Sequence, residues 1–181
     1  MGVFTKDEQV EANFYHKAYK HYLDFMGIDC IYVRYDDNSP IYQDLQKKND
    51  IDIITDDGHK NMTISLKVVK AIYKQIFYET ISNCNKNTPG WGIYSKADRI
   101  DYSMGDYSKG FPTEFKLIQF TKDNILNVLN LTKYPKGYGE TRDIFGNLLY
   151  RTEGCLIPIR DFEHEIIYLN TELFEPVGVG K

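Results

Sequence analysis

The stretch "NDIDIITDDGHKNMTISLKVVKAIYKQIFYETISN", Asn49 to Asn83, decides how this chain is read. It puts Asp50 and Asp52 on one segment, Ser65 and Lys67 on the next, and Glu79 on a third. "DIDIIT" reads as a short strand, and "DDGHKN" as a turn rich in Asp, Gly and Asn. "MTISLKVV" alternates: Met62, Ile64, Leu66 and Val68 point one way, Thr63, Ser65 and Lys67 the other. "YKQIFYETISN" reads as a short helix with Ile76, Phe77 and Ile81 on its apolar side. In a strand Asp50 and Asp52 share a face, and the short turn makes the strand carrying Ser65 and Lys67 its neighbour. A helix directly after that strand would fold back over the same sheet edge and bring Glu79 with it. Lys67, flanked by Leu66, Val68 and Val69, needs a carboxylate partner or an open cleft.

Working outward, Thr5 to Met26 reads as a helix. Thr5 and Glu8 form a capping box, Val10, Phe14, Ala18, Tyr22 and Phe25 recur at helical spacing, and Gly27 stops it. "IDCIYVRYDD" reads as a first strand and "NSPIYQDLQKKN" as a polar connector. Beyond Asn83, "ADRIDYSM" and "EFKLIQFT" read as strands, and "KDNILNVLNLT" as a helix. "KYPKGYGETRDIFGN" is loop-like, "CLIPIRDF" and "EIIYLN" are strands, and "EPVGVGK" is a frayed tail. The order helix, three strands, helix, strand marks a mixed α/β domain built on one sheet. We expect a single domain over residues 1–181, its core about 6–120, with a C-terminal elaboration of strands and loops about 121–175.

The chain has 181 residues, 42% apolar and 27% charged, with a mean hydropathy of -0.47: an ordinary globular composition. No apolar run approaches a membrane span, the N-terminus lacks the apolar core of a signal peptide, and Lys6 stands where myristoylation wants Ser or Thr. Three scattered cysteines, Cys30, Cys84 and Cys155, suit reduced, mostly buried thiols and a cytoplasmic location. The net charge of -4 argues against a basic nucleic-acid coat but not against a DNA enzyme, which concentrates carboxylates at its metal. The Tyr, Lys, Asn and Ile content fits an AT-rich coding sequence, pointing to a phage or a low-GC bacterium.

A phosphodiester-cleaving site needs a divalent cation with oxygen ligands, which activates water and neutralises charge on the transition state. Mg²⁺ takes one or two carboxylates plus waters and phosphate oxygens, and a nearby lysine orients water and offsets phosphate charge. "DIDII", then "SLK", then Glu79 supplies that set in order. At these residues the chain resembles the PD-(D/E)XK nuclease superfamily, whose restriction-endonuclease-like core is an αβββαβ arrangement. Its motif is an Asp at the start of one strand and (Asp/Glu)-x-Lys on the next. Asp52 matches the first, because it precedes Ile53 and Ile54, and Ser65-Leu66-Lys67 matches the second with Ser65 in the place of the acid. Some restriction endonucleases of this superfamily carry Ser-x-Lys and recover the carboxylate from a Glu on the following helix. Glu79, eleven residues beyond Lys67, is placed for that role. Many members add a Glu from the first helix, and Glu11 fits by position. "FYETISN" and "PGWGIYSKADRIDY" look like the helix, Gly-Trp loop and next strand of small phage and bacterial members, so the resemblance spans about Lys6 to Met104.

The resemblance implies a Mg²⁺-dependent endonuclease, with Mn²⁺ able to substitute, that hydrolyses DNA in phage DNA processing, degradation or restriction. Asp52, Glu79 and Glu11 would hold the metal, Lys67 would stand beside the attacking water, and Ser65 marks the vacated acid position. Two alternatives stay open: a non-catalytic nuclease-fold protein of host takeover, which Ser65 would permit, and a resolvase of branched DNA. Taken singly these residues have plainer readings: Asp52 a solvated acid, Lys67 an edge-strand lysine, Glu79 a surface helix residue, and Asp50 a residue that only starts its strand. Trp91 is favoured as a core anchor over a base-stacking residue. Lys133, Lys136, Arg142 and Arg151, among Tyr134, Tyr138 and Tyr150, form a DNA-backbone-binding loop or an ordinary solvated one. The four histidines lack metal-ligand spacing, and "GYGE" and "GVGK" are not phosphate loops. With an acidic chain, grip on DNA is expected from a homodimer or from local basic loops.

Overall fold

The computed structural model describes residues 14–33, 39–56, 58, 60–69, 71–105, 114–123, 125, 130–143, 145–161 and 164–170. Two sheets carry the fold. The first has strands β1 (Asp29–Tyr32), β2 (Ile53–Asp56), β3 (Asn61–Val69), β6 (Arg99–Gly105), β7 (Glu114–Phe120) and β10 (Glu165–Asn170), in that spatial order. All neighbours in it are antiparallel except β3 and β6. The second, with order β5-β4-β9-β8, consists of β4 (Gln75–Asn83), β5 (Thr88–Pro89), β8 (Lys136–Arg142) and β9 (Leu148–Pro158). Because β3 and β6 run parallel, the chain must cross over between them, and that crossover holds β4, β5 and the short helix Trp91–Tyr94. The chain is a single domain of mixed α/β class with a mixed sheet and few helices.

The six-stranded sheet is covered on both faces. On one, Phe14, Ala18, Tyr19, Tyr22 and Leu23 of the N-terminal helix pack on Ile53, Ile64, Leu66, Phe115 and Leu117. On the other, Ile100, Tyr102, Met104, Ile118 and Phe120 meet Ile76, Tyr78, Cys155 and Ile157 of the second sheet. The alternation expected in β3 follows: Ile64 and Leu66 face the helix, while Ser65 and Lys67 face the second sheet beside Ile100 and Tyr102. The N-terminal helix is wide-turned over Tyr15–Tyr19, regular over Lys20–Phe25, and stops at Gly27, whose φ is +70°. Phe14, Ala18 and Tyr22 are buried as expected, but Phe25, the last residue of the helix, is 76% exposed. The capping box at Thr5 and Glu8, Val10, and the tail from Glu175 lie outside the described residues.

Five expectations are corrected. The domain is built on two sheets and not one. Of the cysteines expected to be mostly buried, Cys155 is buried, Cys30 half-buried and Cys84 exposed. "YKQIFYETISN" is strand β4, not a helix. Its run of Ile, Phe, Tyr, Thr and Ile is β-branched and aromatic, a composition that outweighs three apolar residues at helical spacing. "NSPIYQDLQKKN" is no connector but forms the helix Pro40–Asn49, with Pro40 in its first turn and Lys47 and Lys48 in its last. It buries no residue fully, so it carries no apolar stripe to read. "KYPKGYGETRD" holds strand β8: added side chains at Gly137 and Gly139 would meet Leu156 and Thr152, so these glycines serve close packing and not a loop. In the stretch expected as the "KDNILNVLNLT" helix, residues 124 and 126–129 lie outside the described residues, and Leu131–Lys133 form one tight turn.

Candidate active site

The helix Pro40–Asn49 ends at Asp50 in the left-handed conformation, φ 56°, where its backbone N–H donates to the Gln46 carbonyl. Asp is among the few residues besides glycine that take this conformation at small cost. The reversal throws Asp50 toward β3, where its carboxylate is nearly covered. Lys67 Nζ donates to Asp50 Oδ1 at 2.6 Å, and Ser65 Oγ donates to Oδ2 at 2.6 Å. Asp52 lies just before β2 and is 4% exposed. Its Oδ2 accepts from the Leu66 backbone N–H at 2.8 Å, so this side chain holds a β3 amide where the two strands part. Gln46 Nε2 stands 3.4 Å from Asp52 Oδ1, and Gln46 Oε1 is buried with no partner among the described residues.

Glu79 comes from the second sheet. The β4–β9 ladder shifts register between Glu79 and Ile81, a bulge of the kind that re-aims a side chain. The "GWG" segment then clasps this point: Trp91 N–H reaches Glu79 Oε1 at 3.4 Å, and the Tyr78 hydroxyl donates to the Gly92 carbonyl. A Cβ on Gly90 would come within 2.6 Å of Glu79 Cγ, and one on Gly92 within 2.6 Å of both the Glu79 carbonyl and the Tyr78 ring. We therefore expect Gly92→Ala to cost about 2–3 kcal/mol in urea unfolding, since the obstructing atoms are backbone and a packed ring. A loss below 1 kcal/mol would mean that the clasp yields. Trp91 is the core anchor expected of it, buried edge-on to Tyr78, and its ring also roofs Lys67 Nζ at 5.9 Å.

Electrostatics tie these groups into one cluster. Burial pushes the Asp52 carboxyl up to about 6, opposed by Lys67 and reinforced by Asp50. Burial likewise raises Glu79 to about 7, against the Trp91 N–H and Lys67, with Asp50 adding to the rise. The Tyr94 phenol is pushed up to about 12, by burial first and then by Asp50. Three acids thus face the Lys67 ammonium, an excess of negative charge when all are ionised. Hard oxygen donors with that imbalance suit a divalent cation such as Mg²⁺. Among the described residues no three His, Cys, Asp or Glu side chains converge tightly enough to enclose a metal.

Of the residues singled out in the sequence, Asp52, Ser65, Lys67 and Glu79 gather here, and Glu11 lies outside the described residues. Asp50, read as a residue that only starts a strand, touches Lys67 directly. Gln46 and Tyr94 went unread, Gln46 because its helix was taken for a connector and Tyr94 because nothing local marks it. The stretch read as a DNA-backbone-binding or solvated loop takes a different form. Lys136 pairs with Glu153 at 2.6 Å, and Arg142 and Arg151 pair with Glu140 at 2.6 and 3.3 Å, so β8 and β9 present mixed charge and not a basic strip. Lys133 is exposed in the turn before β8. No helix among the described residues is long and apolar enough to cross a membrane. No protein-family model matches the chain, and neither a curated protein nor a solved structure matches it significantly.

Proposed function

We propose that this chain is a Mg²⁺-dependent endonuclease of PD-(D/E)XK type that hydrolyses phosphodiester bonds in DNA. One observation carries the reading: a lysine on a central strand, hydrogen-bonded to a buried aspartate and lying in the field of two more acids whose carboxyls burial has raised. A lysine that merely protected a sheet edge would not be placed between two sheets. The topology supports the reading too, since three consecutive antiparallel strands are followed, after a crossover, by a strand parallel to the third. Asp52 and Glu79 would hold the cation, which supplies neutralisation of charge on the attacked phosphate. Lys67 orients the attacking water and balances phosphate charge, and Asp50 and Ser65 fix where its ammonium stands.

Purified protein is expected to cut plasmid DNA in Mg²⁺ or Mn²⁺ but not in EDTA, and Asp52→Ala is expected to lack that activity. Folded protein that cuts neither duplex, single-stranded nor branched DNA would sink the reading and favour a binding protein of the same fold. Linkage provides a check without DNA. Asp52 and Glu79 bind protons more tightly folded than unfolded, so the cation-free protein loses stability as pH rises from about 4 to about 7. A cation competes with those protons. Its stabilising effect, read as a rise in Tm, should therefore be larger at pH 8 than at pH 5.5. An equal rise at both pH values would place the cation elsewhere.

A further inference from the structure

Ser65 is fully buried and its hydroxyl has one task on view, to donate to Asp50. Asp50 uses one carboxylate oxygen for Ser65 and the other for Lys67, both at 2.6 Å. Its carboxylate therefore sits over position 65 and beside position 67, in the space that an acidic side chain on residue 65 would fill. Two carboxylates there would crowd and repel each other at hydrogen-bond distance. Ser65 removes that conflict and supplies a donor. Glu79 has a different relation to Lys67. Its hydrogen-bond contact is the Trp91 amide, at 3.4 Å, and it meets the ammonium through the field alone.

We propose that Asp50 is the acid partner of Lys67 in this site, delivered by the end of the Pro40–Asn49 helix in place of a carboxylate at position 65, and that the charge can be moved from residue 50 to residue 65 with function kept. Ser65 is then a positioning residue, and residues 50 and 65 act as one exchangeable unit. The catalytic half of this inference rests on the reading of the cleft as a phosphodiester-cleaving centre. Its electrostatic half does not.

The experiment is a charge relocation. Asp50→Asn keeps the left-handed backbone and the side-chain shape but removes the charge. Ser65→Asp adds the charge on the other member. Cleavage of plasmid DNA in Mg²⁺ and Tm in EDTA at pH 8 are measured for both single variants and for Asp50→Asn/Ser65→Asp. Asp50→Asn should cut at least about 100-fold more slowly and melt at lower temperature. Ser65→Asp alone should also be impaired, since two carboxylates are then forced into one space. The double variant should cut at least about tenfold faster than Asp50→Asn and regain most of its lost Tm. As a control, Ser65→Asp should not rescue Asp52→Asn, whose carboxylate serves the Leu66 amide. A cooperatively folding double variant with neither recovery would overturn the proposal, as would Asp50→Asn with undiminished cleavage and Tm. If the wild-type chain cuts no DNA, the nuclease reading fails, and the Tm pattern by itself decides whether Asp50 is the counter-charge of Lys67.

Discussion

Lys67→Met is expected to lower DNA cleavage on the order of 10³-fold, a loss comparable to removing a positioned donor from a transition state. The ammonium lies between the Trp91 ring and Asp50, 2.6 Å from Oδ1, with its side chain 19% exposed. At such a place an ionic interaction is little screened by water. Methionine fills the same volume without charge, but it leaves the buried Asp50 carboxylate short of a counter-charge, so some loss of stability must accompany the loss of rate. Lys67→Arg separates the two effects. Arginine keeps the pairing with Asp50 and should keep Tm near that of the wild type. Its planar, broader head cannot stand in for a compact ammonium beside a water, so cleavage should still fall on the order of 10²-fold. Full activity in Lys67→Arg would reduce the residue to a counter-charge. Full activity in Lys67→Met would remove Lys67 from the chemistry altogether. Steady-state cleavage of supercoiled plasmid, together with thermal melting of the same samples, reads both quantities.

How much of this was legible in the chain depends on how local each signal is. The alternation of β3 was plain because its two faces differ: Ile64 and Leu66 pack against the apolar helix, whereas Ser65 and Lys67 turn to the Asp50 carboxylate. The pairing of β2 with β3 followed from the short turn between them. The four residues Asp52, Ser65, Lys67 and Glu79 were named from order and spacing, and they do approach one another. The routes by which they approach were less visible. Glu79 arrives on a strand of a second sheet, because an aromatic and β-branched segment found a ladder partner in β9, seventy-odd residues on, which no local pattern announces. Asp50 and Asp52 read as residues two apart on one strand, Asp52 as the motif acid and Asp50 as its start. They differ because the helix Pro40–Asn49 ends in a left-handed residue at Asp50, and that helix has too few apolar side chains to show its period. The charge pairing of the stretch after Lys133 was hidden for a related reason: the cross-strand partners Glu140 and Glu153 become neighbours of Arg151 and Lys136 only once β8 pairs with β9.

The largest effect on stability is expected on the opposite face of the sheet, at Asp101. This carboxylate is fully buried, and four donors converge on it. Arg99 Nε donates to Oδ1 at 2.7 Å and its Nη2 to Oδ2 at 3.0 Å, Gln119 Nε2 donates to Oδ2 at 2.9 Å, and the Tyr19 hydroxyl donates to Oδ2 as well. Tyr19 comes from the N-terminal helix, Arg99 and Asp101 from β6, and Gln119 from β7, so one acid fastens a helix to two strands. Asp101→Ala leaves the Arg99 guanidinium without its counter-charge and the Gln119 and Tyr19 contacts unmade. The expected cost is about 3–5 kcal/mol, the range found when one partner of a buried pair is removed. For a chain of this length that is a fall of roughly 6–20 °C in Tm, at about 2–4 °C per kcal/mol. Asp101→Asn retains one acceptor oxygen and should cost less. Arg99→Met/Asp101→Leu should cost less than Asp101→Ala, because neither charge is then stranded in a face otherwise built of Phe14, Leu23, Leu66, Phe115 and Leu117. Urea unfolding of the three variants, each compared with wild type, measures the ordering directly. A cost below 1 kcal/mol for Asp101→Ala would mean that water reaches Arg99 freely and that helix and sheet are held by apolar packing alone. Because Asp101 pairs with Leu66 across the ladder while its side chain points away from Lys67, variants that remain folded should keep their cleavage rate, which separates this network from the candidate active site.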